Sequence, residues 1–239
     1  MSNELLLLLA GTAAGLGFFH ALLGPDHYLP FVLMGRAGRW SRAKTLGVTL
    51  ACGVAHVASA LLIAAGGIVL GMAAGRLQAL EALRGQVAVW ALIAFGLVYF
   101  VWGLRRAARQ RPHTHVHLHA DGLVHAHEHT HEGAHLHVHQ AREAVPRMTP
   151  WVLFTVLVFG PCEPLIPLVL VPAAQQSAGG VLLVVGVFSA ATLGTMLAAV
   201  ALLQAGVERL PLGPLERYTH ALAGAALALC GAALYVFNL

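Results

Sequence analysis

Charge is scarce in this sequence. Only 10% of the 239 residues are charged, against about 25% in an ordinary soluble domain, while 58% are hydrophobic. A water-soluble core of this length could not absorb so much apolar surface, so lipid is read as the solvent for most of the chain. Cysteine is nearly missing. Cys52, Cys162 and Cys230 all fall inside apolar runs without C-x-x-C spacing, which excludes a disulfide framework and fixes no redox compartment. No basic stretch precedes the first leucine run, so no cleaved leader is predicted. No nucleotide-binding motif and no catalytic constellation occurs, and the chain is read as a non-enzyme. The 14 basic residues outnumber the 10 acidic ones, but they lie in short connections between apolar runs, which argues against nucleic acid as a partner.

A bilayer core of ~30 Å needs about 20 apolar residues per helix. Six runs reach that length: 4–24 with a tail to 35, 45–72, 86–104, 149–172, 180–205 and 217–237. The fold class is therefore all-α integral membrane, with six transmembrane helices. Twelve Lys and Arg residues occupy the first, third and fifth connections, and only Arg76 and Arg84 the others. The basic face should be cytoplasmic, with both termini outside. The expected location is a multi-pass inner membrane protein whose first partner is the lipid bilayer; a homo-oligomer is compatible with the sequence.

Aligned with itself at an offset of 136, the chain places Gly24-Pro25-Asp26-His27 on Gly160-Pro161-Cys162-Glu163, His56 on Thr192 and Ser59 on Thr195. At an offset of 135, Leu80-Glu81 meets Leu215-Glu216, and Gly96 meets Gly231. Three helices per unit is an odd number, so the second unit must enter from the opposite side. This predicts a 3+3 inverted repeat: residues 1–105, a His-rich cytoplasmic connection at 106–148 expected to be disordered, and residues 149–239. Inverted repeats of transporters place substrate near midplane on interrupted helices. Proline removes an N–H and clashes with the carbonyl four residues back, so Pro25 frees the carbonyl of Ala21 and Pro161 that of Leu157. The first and fourth helices are thus read as Pro-broken. A straight helix from Glu4 to Arg36 would also be ~48 Å long, well beyond the bilayer.

Apart from Glu4 at the very start of the first run, only Asp26 and Glu163 among the acids fall within the six apolar runs, and intramembrane ionisable groups are functional by default. His20 and His27 are seven residues apart, two helical turns, and His56 lies in the second run. Imidazole with carboxylate suits Zn, Ni, Co or Fe. His20, Asp26, His27 and His56 are the candidate metal ligands, joined by Cys162 and Glu163 from the opposite repeat. Binding should weaken as the imidazoles protonate. Ser59, Thr192 and Thr195 are expected to hydrogen-bond between helices, and His220 to play an interfacial structural role. The absence of Lys or Arg near midplane argues against an anion as cargo.

Eleven of the 15 histidines crowd the third connection: His113, His115, His117, His119, His125, His127, His129, His131, His135, His137 and His139. Such a tract reads compositionally as an auxiliary metal-binding segment. A cytoplasmic metal trap suits an exporter collecting its cargo, and equally an importer buffering what it releases; the reading leans to efflux.

The segment His20-Ala21-Leu22-Leu23-Gly24-Pro25-Asp26-His27 resembles the first-helix signature of the nickel/cobalt transporter and urease-accessory (UreH-like) transmembrane families. These belong to a wider group of inverted-repeat permeases that includes thiol-electron carriers of the cytochrome-maturation type and sulfite exporters. The resemblance implies a secondary transporter of divalent nickel or cobalt, with the first-helix histidines and aspartate as ligands. Five residues separate His20 from Asp26-His27, where that signature has four, which keeps zinc and iron beside nickel and cobalt. Two other readings stand: a membrane thiol-electron carrier, against which Asp26 occupies the counterpart position of Cys162, and a metal-sensing accessory subunit.

Overall fold

The computed structural model describes residues 2–109, 113–118, 124–129, 149–162, 164–211 and 213–237. Helices dominate them: α1 (Asn3–Leu23), α2 (Leu29–Ala37), α3 (Arg42–Val69), α4 (Ala74–Arg109), α5 (Thr149–Phe159), α6 (Leu165–Ala174), α7 (Ala178–Glu208) and α8 (Thr219–Phe237). Short 3-10 turns at Pro25–His27 and Gly213–Tyr218 lead into α2 and α8. Five segments are long and apolar enough to cross a bilayer: Asn3–Leu23, Arg42–Val69, Ala74–Arg109, Ala178–Glu208 and Gly213–Phe237. That is what a multi-pass membrane protein requires. Leu7, Leu62, Val98, Leu182, Leu202 and Leu229 are largely exposed on them, a distribution suited to hydrocarbon rather than water.

Local chemistry sets the helix starts and breaks. Ser2, Ser41 and Ser177 cap α1, α3 and α7 by accepting from the N–H groups of Leu5, Lys44 and Gly180, satisfying donors that a helix start leaves orphaned. α1 ends at Gly24, whose N–H reaches back to the carbonyl of His20 at 3.2 Å; Pro25 cannot continue the ladder. The expected break in the first apolar run lies there. The run 149–172 is interrupted likewise, between α5 and α6, at Gly160-Pro161.

Two apolar clusters form the interior. One gathers around α2, with Phe31, Val32 and Met34 against Leu92, Leu153 and Leu227. The other gathers around α6, with Leu165 and Val169 against Leu9, Val57 and Phe188. α4 and α8 pack most closely. A Cβ at Gly96 or Gly103 would collide with the backbone of α8, and one at Gly224 or Gly231 with α4, so these four glycines permit the contact.

One expectation needs correction. The third apolar run was placed at 86–104, but α4 begins twelve residues earlier and takes Glu81 and Arg84 into the helix. Their charges cancel against each other, so the turn is tolerated inside an apolar assembly although it reads as a polar connection. Within the His-rich connection, 113–118 and 124–129 pair as an antiparallel hairpin, His113 opposite His129, His115 opposite His127 and His117 opposite His125. Alternating H-x-H has the two-residue period of a strand. His119, His131, His135, His137 and His139 lie outside the described residues.

Candidate metal centre

Three elements converge on one point. His20 lies one turn from the end of α1, His27 closes the 3-10 turn after the break, and His56 sits halfway along α3. Their ring centroids are 4.6 Å apart for His20 and His27, 5.1 Å for His27 and His56, and 5.9 Å for His20 and His56. The break makes this possible. On an uninterrupted helix His20 and His27 would stand two turns, ~10 Å, apart. The turn at Gly24-Pro25 brings the rings into contact. Gly24 is required for it, because a Cβ there would lie 2.5 Å from Nδ1 of His27.

One nitrogen from each ring lies within 4.8 Å of the others. The Nε2 atoms of His20, His27 and His56 are buried and have no hydrogen-bond partner. Leaving a buried polar atom unsatisfied costs ~1–3 kcal/mol, so three at one point call for a ligand. Three imidazole nitrogens on one tetrahedral transition-metal ion at ~2.0–2.1 Å stand ~3.3–3.4 Å apart. Small side-chain rotations would close the group to that spacing.

The other ring nitrogens explain which lone pairs remain open. Nδ1 of His56 donates to the carbonyl of Leu157 at 2.9 Å, the carbonyl that Pro161 frees. Nδ1 of His27 lies 3.1 Å from the carbonyl of Gly24 and 3.2 Å from a carboxylate oxygen of Asp26. With the proton on Nδ1, His27 and His56 keep an open Nε2 lone pair, the arrangement by which carbonyls and carboxylates orient metal-ligating histidines. The carbonyl of Leu157, which also accepts from the N–H of Gly160 at 2.9 Å, thus orients the His56 ring.

The six candidate ligands separate. His20, His27 and His56 come together. Asp26 stands behind His27 as its hydrogen-bond partner and is outside the group of three. Cys162 is buried at the break after α5, and its sulfur does not join the group. Glu163 lies outside the described residues. Ser59 bonds across to the carbonyl of Val158 at 3.0 Å, and Thr192 to that of Gly17 at 3.4 Å, whereas Thr195 bonds its own helix. His220 accepts from or donates to the hydroxyl of Tyr99 at 2.7 Å, the structural role expected of it.

Glu81 and Arg84 were overlooked. Glu81 is fully buried, and the Arg84 side chain only 13% exposed. They pair with each other, and both reach the break after α5: the N–H of Cys162 donates to Glu81 at 2.9 Å, and Arg84 donates to the carbonyls of Val158 at 2.6 Å and Gly160 at 3.2 Å. The expectation of no basic group near the site is therefore wrong, although Glu81 offsets the charge.

A cavity of about 400 Å³ has His20 and Asp26 in its wall, facing Phe31, Gln86, Leu157 and Tyr235. It lies toward the end of the molecule where α4 starts and α8 finishes. A second, of about 740 Å³, occupies the other end and is lined by Arg36, Arg39, Arg106 and Arg217. Pro30 and Phe31 border the first cavity and Val32 and Gly35 the second, so α2 separates them.

No family model matches the chain, and no curated protein or solved structure matches it.

Proposed function

We propose that the chain is a secondary transporter of a divalent transition-metal cation, bound between its two halves by His20, His27 and His56. The observation that carries this reading is the convergence of three buried, unpartnered imidazole nitrogens from separate elements. Asp26 orients His27 and offsets part of the charge of the ion. An all-imidazole donor set suits Zn, Ni, Co or Fe and is poor for Mg or Ca, which take oxygen ligands. Nickel and cobalt are the cargo implied by the resemblance of the His20–His27 segment.

The architecture supports transport by a 3+3 inverted repeat. α1 with α2 forms one crossing and α5 with α6 its counterpart, which makes six. α1 packs along α7 as α5 and α6 pack along α3, while α4 pairs with α8 and α3 with α7, the pattern that a two-fold axis in the membrane plane would generate. Gly96 and Gly231, aligned by the repeat, each abut the partner helix at the α4–α8 contact. Breaks at equivalent positions of both halves are the usual seat of a transported ion. With the arginine-lined end cytoplasmic, the cavity beside His20 and Asp26 opens away from the cytoplasm, and α2 seals the cluster from the inner cavity. Lacking a nucleotide site in the sequence, the carrier would draw on an ion gradient.

The test is uptake of Ni, Co, Zn, Fe and Mn into sealed vesicles containing only this protein, with and without a pH gradient. Flux of one or more of these ions, lost in His27→Ala and His56→Ala proteins that still insert, is the expected result. Unchanged flux in those variants would remove the site. Metal binding by the purified protein with no flux would favour a metal-sensing accessory subunit.

A further inference from the structure

We infer that Glu81 and Arg84 are positioning residues for the metal site: they replace the missing helical turn after α5 and so fix the carbonyl that aims His56. The inference rests on the three-histidine reading.

In a continuous helix the carbonyl of Leu157 would accept from residue 161, that of Val158 from residue 162, and that of Gly160 from residue 164. Residues 161 and 164 are prolines and have no N–H to give. The chain resolves the defect with one tightened backbone bond and with side chains from α3 and α4. The Leu157 carbonyl accepts from the N–H of Gly160 at 2.9 Å and from Nδ1 of His56. Between Val158 and Cys162 the ion pair is inserted into the broken bond: Arg84 donates to the Val158 carbonyl, and Glu81 accepts from the Cys162 N–H. Arg84 also covers the Gly160 carbonyl.

Ser59 joins this repair to the metal site. It lies one turn beyond His56, its single hydroxyl proton is shared between the His56 carbonyl at 2.7 Å and that of Val158 at 3.0 Å, and it receives a hydrogen bond from Arg84 at 2.8 Å. Peptides 157 and 158 are adjacent, so the group that holds one carbonyl limits the direction of the other. Gly85, next to Arg84, lets α4 approach Pro161 directly; a Cβ there would meet the proline ring at 2.9 Å. A buried ion pair gains little stability over an apolar pair of similar volume. Holding a ligand in place is a separate use for this one. Partners that orient metal-ligating histidines typically change affinity by ~10–100-fold when mutated.

The experiment is cobalt(II) binding to the full-length protein in detergent, read by its ligand-field spectrum and by affinity, for wild type, Arg84→Lys, His56→Asn and the double variant. Histidines of the third connection contribute the same background to all four. Arg84→Lys keeps a charge opposite Glu81 and loses the fork that holds Glu81 on Nη1 while Nη2 reaches Val158, Gly160 and Ser59. It should weaken binding by ~10-fold or more and shift the spectrum toward that of His56→Asn. In the His56→Asn background the same change should have no further effect, because the ring it positions is gone. An equal loss in both backgrounds would overturn the inference, as would an unaltered spectrum in Arg84→Lys. Should Arg84→Lys fail to fold, Ser59→Ala breaks the link without touching a charge, and the same cycle with His56→Asn decides in the same way. Wild-type protein that gives no more cobalt signal than His56→Asn would instead sink the three-histidine reading itself.

Discussion

The two proline breaks occupy matching places in the sequence and do opposite work. At Gly24-Pro25-Asp26-His27 the turn itself supplies chemistry: it carries His27 to His20, and Asp26 holds His27 from the adjacent position. At Gly160-Pro161-Cys162-Glu163 the described residues supply acceptors, and the side chains that use them come from α3 and α4. His56 takes Leu157, while Arg84 takes Val158 and Gly160. One half of the proposed repeat presents ligands and the other aims one. A proline break therefore creates a polar opportunity, and neighbouring helices determine whether it becomes a ligand or an orienting group.

The largest effects should come from the ligands. His27→Ala or His56→Ala is expected to abolish metal flux in vesicles while the protein still inserts; flux above a tenth of wild type in either would place the ion elsewhere. Next, Glu81→Ala leaves the Arg84 charge buried and unpaired, which costs ~3–5 kcal/mol. A marked fall in the thermal unfolding midpoint in detergent should follow, and a midpoint within a degree of wild type would show the pair is dispensable. Asp26→Asn acts through His27 only and should weaken metal binding by ~10–100-fold without destroying the fold; complete loss of binding by titration would make Asp26 a direct ligand. Smallest of all, Cys162→Ala should leave affinity within about two-fold, since its sulfur stands outside the group of three. A loss like that of His27→Ala would bring the second break back into the coordination sphere and erase the asymmetry.

Much of this was readable from residues. Apolar run length located the long helices, and the three histidines of the first two runs are the ones that come together. The carbonyl of Leu157 was recognisable as losing its helical partner because Pro161 follows by four. What the sequence could not convey was its recipient, since nothing local links Leu157 to His56 across 101 positions. Asp26 and His27 looked like equal ligands because adjacent residues carry no sign of which faces the ion and which faces its neighbour. Glu81 and Arg84 were lost for a different reason. Two charges three residues apart depress local hydropathy, so the stretch reads as a connection, and only the folded chain brings Val158, Gly160 and Cys162 beside them.

X-ray absorption on cobalt- or zinc-loaded full-length protein, taken as the difference from the His27→Ala variant, bears most directly on the proposed centre. One ion per chain with three imidazole nitrogens at ~2.0–2.1 Å is the expected first shell. A difference signal of zero, or one dominated by sulfur or by oxygen alone, would contradict it.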